Sequence, residues 1–288
     1  MSACILCGID GSTDAGRAAS VAARLARDLP SRALLVHVAE GGRGLPFGLP
    51  LPWIGPARRM RKLLKSIAEE CCFPEAPELC LKTGDPATAL LAVADEEDAE
   101  LVVVSSGGTG YASAALLGGV TSALIRRSPC PVVVIPPRAI PPLDAEGMRS
   151  VVCGVEGRET DARALRLAAD LAARLGGDLH AVHAHEPRDE LDDSAERRLA
   201  FALQEAGVEA TAHVEPLPAE EALESVARQE RAGLTVVGPP AGGGPSSVLG
   251  GYLGFRLAAD GSTALVVVPT EAELDIGSGH YELAARPA

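Results

Sequence analysis

The stretch Val103-Val104-Ser105-Ser106-Gly107-Gly108-Thr109-Gly110 is a β-branched run that breaks into small residues. A helix-like segment follows, then "SPCPVVVIP". Such a loop can deliver a phosphate to a helix N-terminus. Its glycines let the backbone close on the oxygens, and the first-turn amides and helix dipole hold negative charge. The same glycines would equally serve a plain tight turn, and the stretch alone leaves both readings open. The sequence has no G-x-x-x-x-G-K-[ST], which argues against a P-loop NTPase. "SSGG" has a superficial likeness to the SGG loop of ATP-pyrophosphatases, but that loop follows a first strand and this one a fourth.

Other reactive side chains are scattered. Cys4 and Cys7 form C-x-x-C within a strand pattern, where residues three apart point to opposite faces, so a metal or redox pair is not expected. Cys71, Cys72 and Cys80 could approach one another, but nothing completes a zinc set. Cys130, between two prolines, reads as packed. His37 and His183 hold equivalent places and read as satisfied strand-end histidines rather than a pair of bases. His183 and His185 share one strand face, a weak metal hint without a third ligand, and no metal ligands are assigned. With no base and nucleophile placed together, an enzyme is not expected. "LPFGLPLPWIG" carries the only tryptophan, Trp53, with Phe47, and suits an exposed docking segment, a lid over the first site or a loop packed on its own domain.

Stepping along the chain, the elements that would position these residues occur twice. "CGIDG" at Cys7 returns as "CGVEG" at Cys153, and "VHV" at Val36 as "VHA" at Val182, both 146 residues on. "LVVVS" at Leu101 returns as "LTVVG" at Leu234, and "PVVVIP" at Pro131 as "ALVVVP" at Ala264, both 133 residues on. Two constant offsets mark a duplication whose one net gap falls between Val38 and Leu101. The Gly/Pro-rich run Gly41–Pro56 accounts for it. Two domains are expected, residues 1–137 and 149–270, with a proline-stiffened linker over 138–148 and a tail over 271–288. In the first half the pattern predicts strands at Ala3–Ile9, Ala33–Ala39, Glu78–Lys82, Leu101–Ser105 and Val132–Ile135. It predicts helices at Thr13–Asp28, Ala57–Cys72, Pro86–Glu97 and Ala114–Arg127. Continuous β-branched strands alternating with helices imply α/β domains, each a doubly wound, five-stranded parallel sheet flanked by helices.

The bulk numbers fit that picture. The chain has 288 residues, 47 % of them hydrophobic and only 3 % aromatic, so Ala, Val and Leu must fill the core. A net charge of −13 argues against nucleic acid and anionic membranes as partners. There is no apolar run of about 18 residues and no basic leader ahead of Asp10, so neither a membrane span nor a signal peptide is expected. Seven cysteines without framework spacing suit a reducing cytoplasm, where the protein is expected to reside.

The pieces "CILCGIDGST" at Cys4–Thr13, "ALLVHVAE" at Ala33–Glu40, "KTGDPATALLAVADEEDAELVVVSS" at Lys82–Ser106 and "LLGGVTSALIRRSPCPVVVIP" at Leu116–Pro136 resemble, in that order, a universal stress protein. The likeness covers nearly all of both halves and identifies a tandem member. It implies an adenine nucleotide alpha hydrolase-like fold, ATP binding in many members but not in others, and a regulatory role in the stress response. Slow ATP hydrolysis or autophosphorylation occurs in some members. Pairing through the last strand of each domain is also implied, either between two chains in a homodimer or inside a tandem chain.

The ATP-binding members carry Gly-x-x-Gly, nine residues, then Gly-Ser or Gly-Thr. Anchored on "LLGGV", Gly108 and Gly118 take the second and third glycine places, Ser105 the first, and Gly119 the hydroxyl's. A register counted from Gly107 and Gly110 restores a hydroxyl at Thr121 but spoils the match at "GGV". By resemblance Asp10 faces the ribose, main-chain groups of Val38 meet adenine, and the amides of Gly119 and Val120 cradle phosphate, with Mg2+ as a counter-ion. Thr109, Thr121 and Ser122 are nearby hydroxyls. In the second half the corresponding places fall on Glu156, Ala184, Gly238, Ala241, Gly251 and Tyr252. Pro239, Pro240 and Pro245 there remove amide donors, so that site is expected to be degenerate.

Overall fold

The computed structural model describes residues 3–39, 54–107, 118–139, 149–158, 161–185, 194–238, 253–269, 272–275 and 280–283. Gly108, Thr109, Gly251, the segment with Phe47 and Trp53, and the proline loop after Gly238 lie outside the described residues.

The first half runs β1 (Cys4–Gly8), α1 (Thr13–Asp28), β2 (Arg32–Ala39), α2 (Ile54–Glu70), β3 (Glu78–Thr83), α3 (Pro86–Glu96), β4 (Ala99–Ser105), α4 (Gly119–Arg127) and β5 (Val132–Ile135). The second runs β6 (Val151–Gly154), α5 (Asp161–Leu175), β7 (Leu179–Ala184), α6 (Ser194–Ala206), β8 (Thr211–Glu215), α7 (Ala219–Gln229), β9 (Leu234–Val237), α8 (Leu253–Asp260) and β10 (Ala264–Val267). Two short strands, β11 (Ala272–Asp275) and β12 (His280–Leu283), pair with each other beyond it.

Local chemistry sets the helix starts. The Ser12 hydroxyl accepts from the Ala15 amide at 3.3 Å and caps α1. Asp85 accepts from the Thr88 amide at 2.9 Å and the Thr88 hydroxyl at 2.6 Å ahead of Pro86, capping α3. The hydrogen bonds from Thr88 hold the Asp85 carboxyl below its usual range. Some boundaries differ from the sequence reading: α2 opens three residues before the expected Ala57, with Pro56 inside its first turn, where a missing amide costs nothing, while α4 opens at Gly119, behind the extended cap Gly118, rather than at Ala114, and β4 opens two residues early at Ala99.

All ten strands β1 to β10 form one sheet in the order β3-β2-β1-β4-β5-β10-β9-β6-β7-β8. Every pairing is parallel except the central one, where β5 meets β10 antiparallel, with Val133 opposite Val266. Each half is thus a five-stranded parallel sheet, and the last strands join within the chain. Both hydrogen-bonding edges of β5 and of β10 are taken there, by β4 and β9 and by each other.

Strand residues alternate between two cores, one on each face. Ile5, Cys7, Leu101, Val103 and Val266 pack with α1, α2, α5 and α6, while Cys4, Leu6, Val102, Val104 and Val267 pack with α3, α4, α7 and α8. Both cores run without a break from one half into the other. Cys4 and Cys7 therefore sit in opposite cores, as the spacing requires. Cys71 and Cys80 are also divided by the sheet, so the approach allowed for them in the sequence does not occur. Burial raises the thiol of Cys4 to about 11 and that of Cys130 to about 12, and pushes Cys7 and Cys153 strongly upward.

Polar clamps hold the halves together. Glu100, at 2 % exposure, receives Arg174 from α5 across the domain boundary and the Ser31 hydroxyl at 3.1 Å. Arg174 also reaches Asp170 at 3.3 Å and the Leu29 carbonyl at 3.2 Å. Arg17 of α1 donates to the carbonyls of Pro136, Pro137 and Ala139, which ties the chain leaving β5 to the first domain.

Candidate functional site

In the first half the strand order reverses at β1: β2 lies on one side, β4 on the other. Ligands of open α/β sheets bind beyond the carboxyl ends of the strands at such a point. Asp10 follows β1, Val38 is the last residue but one of β2, and Ser105 ends β4, so three of the expected residues stand at one end of the first domain's strands.

The turn after β1 is tight. Gly11 has φ +84, a conformation that favours glycine. The Asp10 carboxylate accepts from the Ser12 amide at 2.9 Å and the Ser12 hydroxyl at 2.6 Å, and Asp10 remains exposed. His37 Nδ1 lies 2.7 Å from the Ile9 carbonyl and pins the end of β1 to β2. Its counterpart His183 lies 2.8 Å from the Val155 carbonyl in the same way. Both carbonyls require the ring nitrogen to donate. The two histidines are strand-end ties, each through its Nδ1.

The loop after β4 is fastened to the start of α4. The Gly118 amide donates to the Ser106 carbonyl at 3.2 Å, and the Thr121 hydroxyl donates to the Ser105 carbonyl at 3.0 Å. Thr121 is buried and committed to that bond, so it does not replace the missing phosphate hydroxyl. Ser105 also turns inward, donating to the Gly107 carbonyl at 2.9 Å. What stays available is backbone. Gly118 caps α4 without any side-chain hydrogen bond, so among the described residues no cap side chain takes up the first-turn amides, Gly119 and Val120 among them. A Cβ added at Gly119 would meet nothing within 4 Å among the described residues, whereas one at Gly118 would touch the Ser106 carbonyl at 3.4 Å. Asp14 brings a second carboxylate close to the loop: a Cβ on Gly107 would lie 3.4 Å from its Oδ2. Arg17 offsets it at 3.6 Å.

The second half reproduces the frame with different contents. Gly157 repeats the φ of +84, but Asp161, buried to 4 %, turns its carboxylate back into the loop. One oxygen, Oδ2, accepts from the amides of Glu156 at 2.9 Å, Gly157 at 2.6 Å and Arg158 at 2.8 Å. The equivalent position in the first half is Ala15. The Glu156 side chain pairs with Arg158 at 2.8 Å, and Ala184 and Gly238 stand at the ends of β7 and β9. Sequence reading missed Asp161, whose only signal is an acid where the other repeat has alanine.

A further group went unnoticed in the sequence. His180 on β7, His213 on β8 and Glu230 at the end of α7 come together at the opposite end of the second domain.

Comparison with known proteins gives a consistent picture. The model of the universal stress protein family matches residues 1–136 and again residues 147–269. A universal stress protein of Mycobacterium tuberculosis is 30 % identical over 288 aligned residues, covering 91 % of this chain and 95 % of its own. One from Thermus aquaticus is 34 % identical over 135 residues, 46 % of this chain and 96 % of that one. Among solved structures, a universal stress protein from Archaeoglobus fulgidus superposes with a TM-score of 0.72 at 16 % identity, covering 93 % of this chain and 99 % of the other. One from Pseudomonas aeruginosa does so at 0.59 and 18 %, covering 93 % of each.

Proposed function

The chain belongs to the universal stress protein family as a tandem member, and from that premise we propose that it is a stress-response regulator whose first domain binds ATP weakly and whose second domain does not. One observation carries the proposal: α4 begins with glycines, without a side-chain cap, and is fixed by two hydrogen bonds to the end of β4 at the switch in strand order. By family resemblance Asp10, in the turn after β1, would face the ribose, and the main chain at Val38 near the end of β2 would meet adenine. The carboxylates of Asp10 and Asp14 stand against a bare polyphosphate, so the ligand is the magnesium complex. Weak affinity follows from Gly119, which supplies an amide but no hydroxyl.

In the second domain an internal carboxylate already holds the amides after β6. Glu156 is drawn to Arg158 instead of standing free for a ribose. The domain is left as a structural partner that completes the ten-stranded sheet.

Calorimetric titration of the full chain with Mg-ATP tests the reading. One weak site is expected, absent in Gly118→Trp, because the indole fills the phosphate's place. No heat and no melting shift at millimolar Mg-ATP would refute nucleotide binding. Two equivalents bound would refute the degenerate second domain.

A further inference from the structure

His180 Nδ1 and His213 Nε2 lie 3.1 Å apart, the rings tilted by 44° with centroids 5.4 Å apart. Glu230 presents a carboxylate oxygen 3.9 Å from His180 Nε2. One ligand atom from each of the three residues falls within 4.8 Å of the other two. A tetrahedral zinc ion with Zn–N bonds of about 2.05 Å holds its nitrogens about 3.3 Å apart. The two imidazoles already stand close to that separation.

The fold explains the meeting. His180 is the second residue of β7, and His213 lies on the neighbouring β8 opposite Val182, so both rings share the face covered by α7. α7 runs back against the strands and ends at Glu230, beside the amino-terminal end of β7. This is the end of the second domain away from the loop that holds Glu156 and Asp161. His180 is buried, while His213 and Glu230 are half-buried on the outermost strand and a helix end. Ions and water can therefore reach the group.

The duplication supplies an internal control. The equivalent residues of the first domain are Leu34, Cys80 and Glu97. Glu97 occupies the same helix-end place after α3 and is neutralised by Arg32 at 2.8 Å. In the second domain Arg32 is replaced by Asp178, whose charge acts on His180. One repeat thus exchanges a cation and an aliphatic side chain for a second acid and an imidazole, at positions that converge on one point. We propose that His180, His213 and Glu230 form a binding site for a borderline divalent cation of the Zn2+ class, held by two imidazoles and one carboxylate with water at the open position. Imidazole and carboxylate donors suit zinc and its neighbours, whereas magnesium and calcium favour all-oxygen sets.

The test uses the full chain stripped by a chelator, with Zn2+ and Co2+ as probes. One ion per chain is expected, and the Co2+ form should show a visible ligand-field spectrum without thiolate charge transfer. His180→Leu installs the residue that the first domain already carries, and His213→Gln changes a half-buried side chain on the edge strand. Each removes a direct ligand and should weaken binding by at least the roughly tenfold to hundredfold that loss of a supporting outer-shell partner costs, with Glu230→Gln weakening it less. Absence of Zn2+ uptake by the wild-type chain at micromolar free ion would overturn the proposal. So would thiolate charge transfer in the Co2+ form, or unchanged affinity in both His180→Leu and His213→Gln. Loss of binding in the edge-strand variant with an unchanged melting temperature of the ion-free protein would sustain it whether or not His180→Leu folds.

Discussion

Replacing Gly119 with serine should tighten ATP binding. Gly119 is the first residue of α4, and a Cβ there meets no heavy atom of the described residues within 4 Å. The hydroxyl thus enters space in front of the first-turn amides and disturbs no packed neighbour among the described residues. A neutral hydrogen bond contributes about 0.5–1.5 kcal/mol net. This corresponds to roughly a threefold to tenfold lower Kd. Serine also reduces backbone freedom in the unfolded chain, which raises stability by some tenths of a kcal/mol whether or not ligand is present. Melting temperature alone would confuse the two effects, so titration calorimetry with Mg-ATP is the suitable assay. Gly119→Ala separates them further, adding the Cβ without the hydroxyl. The expected order of affinity is serine above alanine, with alanine near the wild type. Equal affinity of all three, with Gly118→Trp still abolishing binding, would show that the hydroxyl's place is not at 119 and that the spacing is anchored wrongly. Tighter binding by alanine and serine alike would assign the gain to helix order instead.

Two further outcomes follow from the core and the domain boundary. Glu100→Ala removes the buried acceptor of Arg174 and Ser31. Since Arg174 keeps Asp170 and the Leu29 carbonyl, the expected loss is about 2–3 kcal/mol, below that of a fully buried pair, and chemical denaturation should register it at neutral pH. Glu100→Gln, which keeps the volume and the Ser31 contact, should lose less, and equal losses would mean that charge is not what matters there. Stability should also fall as pH rises above about 9: Cys4, Cys7, Cys130 and Cys153 have thiols raised by burial, so between the unfolded and folded values the unfolded chain gives up protons that the folded chain keeps. Each such thiol contributes a loss approaching about 1.4 kcal/mol per pH unit in that window, and denaturation of Cys7→Ala at pH 8 and pH 10 should show a smaller difference than the wild type.

Much of this fold is written in short-range pattern. Helix α1 coincides with the expected Thr13–Asp28 because its cap, its apolar stripe and its end are all local features. Strand β5 coincides with Val132–Ile135 for the same reason. Pro56 misled the reading of α2, since its place in a first turn depends on where the preceding loop delivers the chain. At the proposed nucleotide site, glycine spacing pointed to Gly118 and Gly119. The commitment of Thr121 to the Ser105 carbonyl could not be seen, because it depends on how α4 leans on β4.

By itself, then, the sequence determined the duplication, the alternation of strand and helix, and the glycines at the start of α4, all carried by residues close in the chain or by a fixed offset between repeats. Only the tertiary structure decided that β5 and β10 would close one ten-stranded sheet, and that Asp161 would turn back to occupy the loop after β6. It likewise brought His180, His213 and Glu230 to one point. Parallel strands joined through helices set residues far apart in sequence side by side, and that register is fixed by packing on both faces of the sheet, which no local periodicity encodes.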